Sequence, residues 1–85
     1  MSKTWTMVAH PDYFRTLRTQ ITDANIRYRF VTTVWERLQE TDDPTEGAKP
    51  VKDKPGRYTL ALLGYTLIFH LPEDRPNDID LLGIY

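Results

Sequence analysis

The spacing of the apolar residues changes once along the chain, and this change limits the folds that it can adopt. Up to residue 38, apolar side chains recur every three or four positions, as on the buried face of an amphipathic helix. From residue 58 onwards they form short runs rich in β-branched and aromatic residues, which is typical of strands. The sequence therefore predicts two helices followed by a set of strands. The helical rows are Phe14, Leu17 and Ile21, then Ile26, Phe30, Val34 and Leu38, with Val31 and Trp35 widening the second row towards the core.

Residues suited to helix starts precede both rows. Pro11 fits a first helical position, where its missing N–H would be unpaired anyway, and Asp12 complements the positive end of the helix. His10 is interpreted as the cap residue of this helix, with no further role. Thr22 or Asp23 can cap the second helix. So short a turn between two helices predicts antiparallel neighbours.

Strand-like segments lie at both ends of the chain. The first must join the same sheet as the others, because an isolated strand would leave an unpaired edge. Gly64 supplies the positive φ of a tight hairpin turn. The sequence thus predicts an α+β fold, β-α-α-β-β-β, with a helical hairpin packed on one face of a small antiparallel sheet. The predicted strands are residues 4–8, 58–62, 65–71 and 79–85.

The chain length and the residue types exclude several classes of protein. Eighty-five residues form a single domain, residues 1–85. The absence of cysteine excludes disulfides, thiolate zinc sites and a cysteine nucleophile. No glycine-rich phosphate loop, metal-ligand cluster or Ser-His-Asp order is visible, so we expect neither cofactor nor metal. With no apolar run at residues 1–5, and none long enough for a membrane span, we expect a cytoplasmic protein.

A basic patch interrupts a chain whose net charge is −1. It falls in and just after residues 42–56, an irregular segment with three prolines and two glycines, which is typical of a functional loop. Closely spaced cations of this kind can hold RNA phosphates. A solvated loop, or one that meets an acidic protein, is the alternative. The candidate RNA-binding residues are Lys49, Lys52, Lys54 and Arg57.

Three short motifs carry a resemblance to a known family. Residues 43–50 (DPTEGAKP) are similar to a turn that follows the second helix, residues 56–58 (GRY) to the opening of the next strand, and residues 64–69 (GYTLIF) to a central strand. The chain also has Tyr85 directly after its last strand. In these features it resembles the RelE/ParE superfamily of toxins from bacterial toxin–antitoxin pairs, and most of all its RelE/YoeB branch.

The resemblance implies the toxin of a type II toxin–antitoxin system, which inhibits translation by ribosome-dependent mRNA cleavage. The implied enzyme is a metal-independent endoribonuclease, and its partners are a cognate antitoxin, the ribosome and mRNA. Cleavage through the RNA 2′-hydroxyl needs a base, positive charge at the phosphate and an acid for the leaving oxygen. The candidates are Arg57, His70 as the neutral-pH proton shuttle of the sheet, and Tyr85 as a weak acid or stacking platform.

Most positions that carry catalysis in this family have changed here, so activity is left open. The alternative is a non-catalytic or degenerate RelE/ParE-fold module, either a ParE-like gyrase inhibitor or a protein-interaction domain. An unrelated small adaptor would show a different strand order. In either toxin-family reading, the sheet face away from the helices, beside the lysine-bearing segment, is open to a partner. The changed positions are Thr66, Thr59, Ala61, Val51 and Ile84, and only Tyr85 matches the family pattern.

Overall fold

Two helices and five strands form residues 4–85, the part of the chain that the computed structural model describes. The first three residues of the predicted domain lie outside the described residues. Over the residues described, neither helix combines the length with the apolar composition that a membrane span requires. The elements are β1 (Thr6–Ala9), α1 (Pro11–Gln20), α2 (Ala24–Leu38), β2 (Lys49–Pro50), β3 (Arg57–Leu62), β4 (Tyr65–His70) and β5 (Asp78–Ile84).

The five strands form one sheet in the order β1-β5-β4-β3-β2. The predicted α+β fold, with two helices on a small sheet, is confirmed, and the first strand does join the sheet. One detail differs from the prediction: the sheet is mixed, because β1 pairs in parallel with β5 while the other neighbours are antiparallel. The chain leaves β1 through both helices and enters the sheet again at its far edge. The chain then crosses back over the sheet through antiparallel strands, so that β5 comes to lie beside β1 and runs in the same direction.

β2 was not predicted, since it lies inside the segment interpreted as irregular. It is a two-residue edge strand in which Lys49 faces Thr59 and Pro50 faces Tyr58. An edge strand tolerates proline because it lacks a neighbour on one side. The turn that follows is hydrogen-bonded, with the Val51 amide donating to the Arg57 carbonyl at 2.9 Å. The predicted loop is therefore tied to the sheet along much of its length.

The hydrophobic core lies between the helices and one face of the sheet. On β4, Leu67 and Phe69 are fully buried while His70 on the opposite face is only partly covered, as the alternation of the strand predicts. α1 packs against β5 and α2 against β3. The helices contribute Tyr13, Ile21, Phe30, Val34 and Leu38 to the core.

Some apolar residues predicted to face the core are instead exposed. Phe14 is 52% exposed because the inward side of α1 falls on Tyr13 and Thr16. Burial raises the pKa of the Tyr13 phenol, so this side chain stays neutral. Trp35, expected in the core, is 51% exposed, and Ile26 is also exposed. The reason is that only one row of α2 faces the sheet, and no other described element covers its flank.

Candidate functional site

A cleft of about 440 Å³ opens on the sheet face away from the buried core, beside the start of α1. The sequence interpretation required this face to be open and the last strand to lie within the sheet. Both conditions hold, because the cleft opens on this face and β5 lies between β1 and β4. The residues that line the cleft include His10, Asp12, Arg57, Ile68, Gly83 and Tyr85.

Tyr85 is held at the cleft by its backbone. Its amide donates to the Thr66 carbonyl at 2.8 Å, and its carbonyl accepts from the Thr66 amide at 2.7 Å. The ring lies over Gly83, where an added Cβ would come within 3.2 Å of Cε2 of the ring. Glycine at position 83 therefore gives the ring the space that it occupies. The side chain remains largely exposed, so its phenol is available to a ligand in the cleft.

Arg57 supplies positive charge on another wall of the cleft. It begins β3, and its peptide group closes the preceding turn by donating to the Lys54 carbonyl at 3.1 Å and accepting from Val51. Its Nε is buried and has no hydrogen-bond partner among the described residues. A buried guanidinium nitrogen without a partner is costly, and an anion in the cleft would supply one.

His70 lies beside Arg57 but does not line the cleft. It faces Arg57 across the β3–β4 pair and Asp80 across the β4–β5 pair. Its Nδ1 is buried and unpaired within residues 4–85. Gly56, with φ +79°, passes so close that an added Cβ would lie 3.1 Å from Cε1 of His70. The backbone that leads into Arg57 therefore packs closely against the imidazole ring of His70.

None of the three candidate lysines lines the cleft. Lys49 lies in the edge strand β2, while Lys52 and Lys54 lie in the turn between β2 and β3. All three are exposed. Arg57 is therefore the one member of the predicted basic patch that lines the described cleft.

Two residues that sequence reasoning did not select approach each other at the same place. Nε2 of His10 lies 3.5 Å from Oδ1 of Asp80, whose side chain is buried. His10 is the N-cap residue of α1, as predicted, although its side chain makes no capping hydrogen bond within the described chain. Seventy residues separate the pair in sequence, and only the parallel β1–β5 register could have revealed their proximity.

Four of the five changed family positions lie on the sheet, and Val51 lies in the turn after β2. Ile84 is fully buried in the core, whereas Thr59 and Ala61 face the open side of β3, next to Ile68 and Thr66 of β4. None of the five carries a charge. Within residues 4–85, no group of three or more His, Asp or Glu side chains is arranged to hold a metal ion.

The turn at residues 43–50, which carries part of the sequence resemblance, is held by local hydrogen bonds. Asp43 Oδ1 accepts from the Thr45 hydroxyl at 2.5 Å and from the Thr45 amide at 2.9 Å. These two bonds, the hydroxyl first, hold the pKa of the Asp43 carboxyl below its usual value. Arg37 of α2 donates to the Glu46 carbonyl and so joins the turn to the helix.

Comparisons with known proteins support the fold assignment. No protein-family model matches the sequence, and no curated protein matches it. A structural match is found with the crystal structure of the toxin–antitoxin complex RelBE2 from Mycobacterium tuberculosis. It has a TM-score of 0.77 and 16% sequence identity, and it covers 96% of this chain and 96% of the matched chain. The chain therefore has the RelE-like fold that its sequence motifs predicted.

Proposed function

We propose that this protein is the toxin of a bacterial type II toxin–antitoxin pair and that it cleaves mRNA on the ribosome. The observation that carries the proposal is the open cleft, where Arg57 and Tyr85 converge on a RelE-like sheet. The unpaired Nε of Arg57 suits the phosphate of a bound RNA chain. On this proposal, the protein works in the cytoplasm, where its substrate is.

The residues in and around the cleft have four different roles in this proposal. Arg57 stabilises the negative charge that grows on the phosphate as the 2′-hydroxyl attacks. Tyr85 stacks on a base or gives a proton to the leaving oxygen. Lys49, Lys52 and Lys54 hold the RNA backbone beside the cleft, since exposed cations on a turn can follow successive phosphates. His70 supports Arg57 from the neighbouring strand.

Expression in bacteria that lack the neighbouring antitoxin gene tests the proposal. We expect growth arrest, with cuts in transcripts that are bound to ribosomes and intact transcripts when initiation is blocked. The Arg57→Gln variant should relieve the arrest, while Arg29→Gln on the exposed side of α2 serves as the matched control. Normal growth with uncut transcripts, at a protein level shown by immunoblot to equal that of the control, would contradict the proposal.

A second candidate is a binding module that uses the same scaffold without catalysis. The observation that favours it is the uncharged surface formed by Thr59, Ala61 and Thr66 on the open face of β3 and β4. On this alternative, purified protein forms a stable stoichiometric complex with a protein such as gyrase and leaves ribosome-bound transcripts intact. Cleavage that depends on the ribosome would exclude the alternative.

We further propose that the antitoxin covers the exposed apolar surface where α1 and α2 meet β1. Phe14, Val31 and Trp35 form this surface, and Met7 and Leu81 line its floor. Apolar side chains clustered in this way are typical of protein-binding sites.

The contribution of this surface to antitoxin binding can be measured directly. Trp35→Ser should weaken the complex with the protein encoded by the adjacent reading frame by tenfold or more, because a large aromatic anchor is lost. Tyr28→Ser is the matched control, since Tyr28 is exposed on α2 and does not line this surface. Titration calorimetry measures both affinities. Equal affinity for the Trp35→Ser variant and the wild-type chain would place the antitoxin elsewhere.

A further inference from the structure

His10 and Asp80 form a close pair at the wall of the cleft. The His10 amide donates to the Leu81 carbonyl at 3.0 Å, which continues the parallel pairing of β1 with β5 by one residue. In that pairing Val8 faces Asp80, so His10, two residues further on, projects from the same side of the sheet. The result is the 3.5 Å approach of His10 Nε2 to Asp80 Oδ1.

Asp80 is fixed by a third residue behind it. Nη2 of Arg75 lies 2.7 Å from Oδ2 of Asp80, and Nη1 of the same guanidinium lies 3.6 Å from Asp78. The other carboxylate oxygen, Oδ1, is buried and has no hydrogen-bond partner among residues 4–85. Nε2 of His10 is likewise buried and has no hydrogen-bond partner among residues 4–85. The fold therefore places these two unpaired atoms 3.5 Å apart.

The exposed part of His10 faces the cleft. Its side chain is 41% exposed although Nε2 is buried, and the residue lines the cleft together with Arg57 and Tyr85. With Nε2 turned towards Asp80, Nδ1 is the nitrogen that can meet a ligand. A carboxylate that orients a histidine in this way is a recurring feature of sites where the histidine transfers protons.

We propose that His10 is the proton acceptor of the cleft, with Asp80 and Arg75 as the residues that position it. The assignment rests on the proposed function and supplies the base that the changed family positions no longer provide. His10 Nδ1 takes the proton of the RNA 2′-hydroxyl, the O2′–P bond forms and the P–O5′ bond breaks. Tyr85 gives its phenolic proton to the departing 5′-oxygen, and water carries the proton on His10 back to the phenolate, which restores both side chains. The products are a 2′,3′-cyclic phosphate and a free 5′-hydroxyl.

Charged side chains of both signs lie near His10 or line the same cleft. Asp80 and Asp12 are negative, and Arg57, on the far wall, is positive. Arg75 is balanced by Asp78 and Asp80.

The test compares the wild-type chain with His10→Ala, His10→Gln and Asp80→Asn in cleavage of ribosome-bound transcripts. Gln20→Ala, at the exposed end of α1, is the control. We expect His10→Ala to lower the cleavage rate by roughly 100-fold or more, with unchanged ribosome binding and melting temperature. Added imidazole should restore part of the rate to His10→Ala and none to Asp80→Asn, whose own histidine still fills the site. His10→Gln should lose as much rate as His10→Ala, because a side-chain amide cannot accept the proton.

Each other result has a definite meaning. A wild-type rate for His10→Ala overturns the assignment and leaves the proposed function intact. A loss of rate that follows a loss of melting temperature, with no rescue by imidazole, identifies His10 as a structural residue and also overturns the assignment. A wild-type chain that leaves transcripts uncut removes the proposed function and this base with it.

Discussion

Arg57 supplies the positive charge of an arginine to the wall of the cleft, which none of the described lysines lines. On the proposed function, replacing Arg57 with glutamine removes a charge-assisted contact to phosphate, which is worth about 1.5–3 kcal/mol, so we expect roughly 10- to 100-fold weaker RNA binding. The loss should be larger at low salt than at high salt, because salt screens the attraction of exposed charges. Fluorescence anisotropy with a short RNA measures both effects. A loss of affinity that does not depend on ionic strength would contradict the electrostatic role.

The matched variant Arg29→Gln makes the same chemical change on the exposed side of α2. It lowers the net charge by the same amount but leaves the cleft untouched. Its affinity for RNA should therefore stay close to that of the wild-type chain. The comparison distinguishes an effect of the charge at position 57 from an effect of the net charge of the protein.

Asp43 is a second residue whose surroundings predict a pH effect. Because hydrogen bonds from Thr45 lower its pKa in the folded chain, the stabilisation that it provides is fully present above the ordinary carboxyl range. The stabilisation is lost as pH falls through the lowered value. Thr45→Val removes the hydroxyl donor, so the pKa of Asp43 should rise towards its usual value of about 3.9, as an NMR titration of the carboxyl carbon would show.

Thr41→Val is the control for this titration. The Thr41 hydroxyl bonds to backbone atoms of Asp43 and not to its carboxylate. The pKa of Asp43 should stay low in this variant. An equal rise in both variants would mean that the conformation of the turn, and not the Thr45 hydroxyl, sets the pKa.

At the scale of the elements, the β3–β4 ladder depends on the chain passing closely over its end. Gly56 has a positive φ, and an added Cβ would lie 3.0 Å from the Leu71 carbonyl oxygen. Alanine there costs about 1–2 kcal/mol for the left-handed backbone. Displacement of the Leu71 carbonyl and His70 adds about 1–3 kcal/mol. Urea unfolding should therefore show a clear loss of stability in Gly56→Ala.

Gly64→Ala separates the two contributions. Gly64 also has a positive φ, in the hairpin turn, but a Cβ there would meet no described atom within 4 Å. We expect this variant to lose only the backbone contribution, about 1–2 kcal/mol. If Gly64→Ala were as unstable as Gly56→Ala, the close approach over His70 would contribute nothing.

The elements themselves were largely predictable because their signals are local. Asp23 caps α2 as expected, since its carboxylate accepts from the Asn25 and Ile26 amides. Gly64 forms the turn that the two flanking strand-like runs predicted. The predictions were wrong where burial depends on distant partners. Phe14 and Trp35 have helical spacing, but the buried side of α1 falls on Tyr13 and Thr16, and that of α2 on Phe30, Val34 and Leu38.

At the scale of the whole molecule, a single hydroxyl joins the helix layer to the end of the sheet. The buried Thr16 Oγ1 of α1 accepts from the Ile84 amide at 2.9 Å and donates to the Asp12 carbonyl at 2.7 Å. Thr16→Val keeps the shape but leaves the buried Ile84 amide unpaired. The free energy of unfolding should fall by about 1–3 kcal/mol, as urea unfolding would measure. RNA cleavage should fall as well, because Ile84 leads directly into Tyr85.

Thr33→Val is the control for Thr16→Val. The Thr33 hydroxyl bonds only to the Arg29 carbonyl of its own helix, at an exposed site. The change in stability should stay within about 0.5 kcal/mol. A similar loss in both variants would assign the effect to a general property of helical threonines.

The candidate site was predictable only in part, and the reason lies in the whole molecule. Arg57 and Tyr85 were selected from the sequence, because one belongs to a basic patch and the other matches a family pattern. His10 and Asp80 carry no such signal. Their proximity arises from a pairing between the first and last strands, and no local pattern specifies that the two strands run in parallel. The lysines, conversely, stand out in sequence but lie outside the cleft wall.

The pairing of β1 with β5 also affects the order in which the protein is made. The cleft takes His10 from the beginning of the chain and Gly83 and Tyr85 from its other end. A growing polypeptide emerges from its amino end, so both helices and the other four strands are synthesised before β5, the strand that joins β1 to the rest of the sheet. Until that strand inserts, the walls that His10, Gly83 and Tyr85 give to the cleft are not in place.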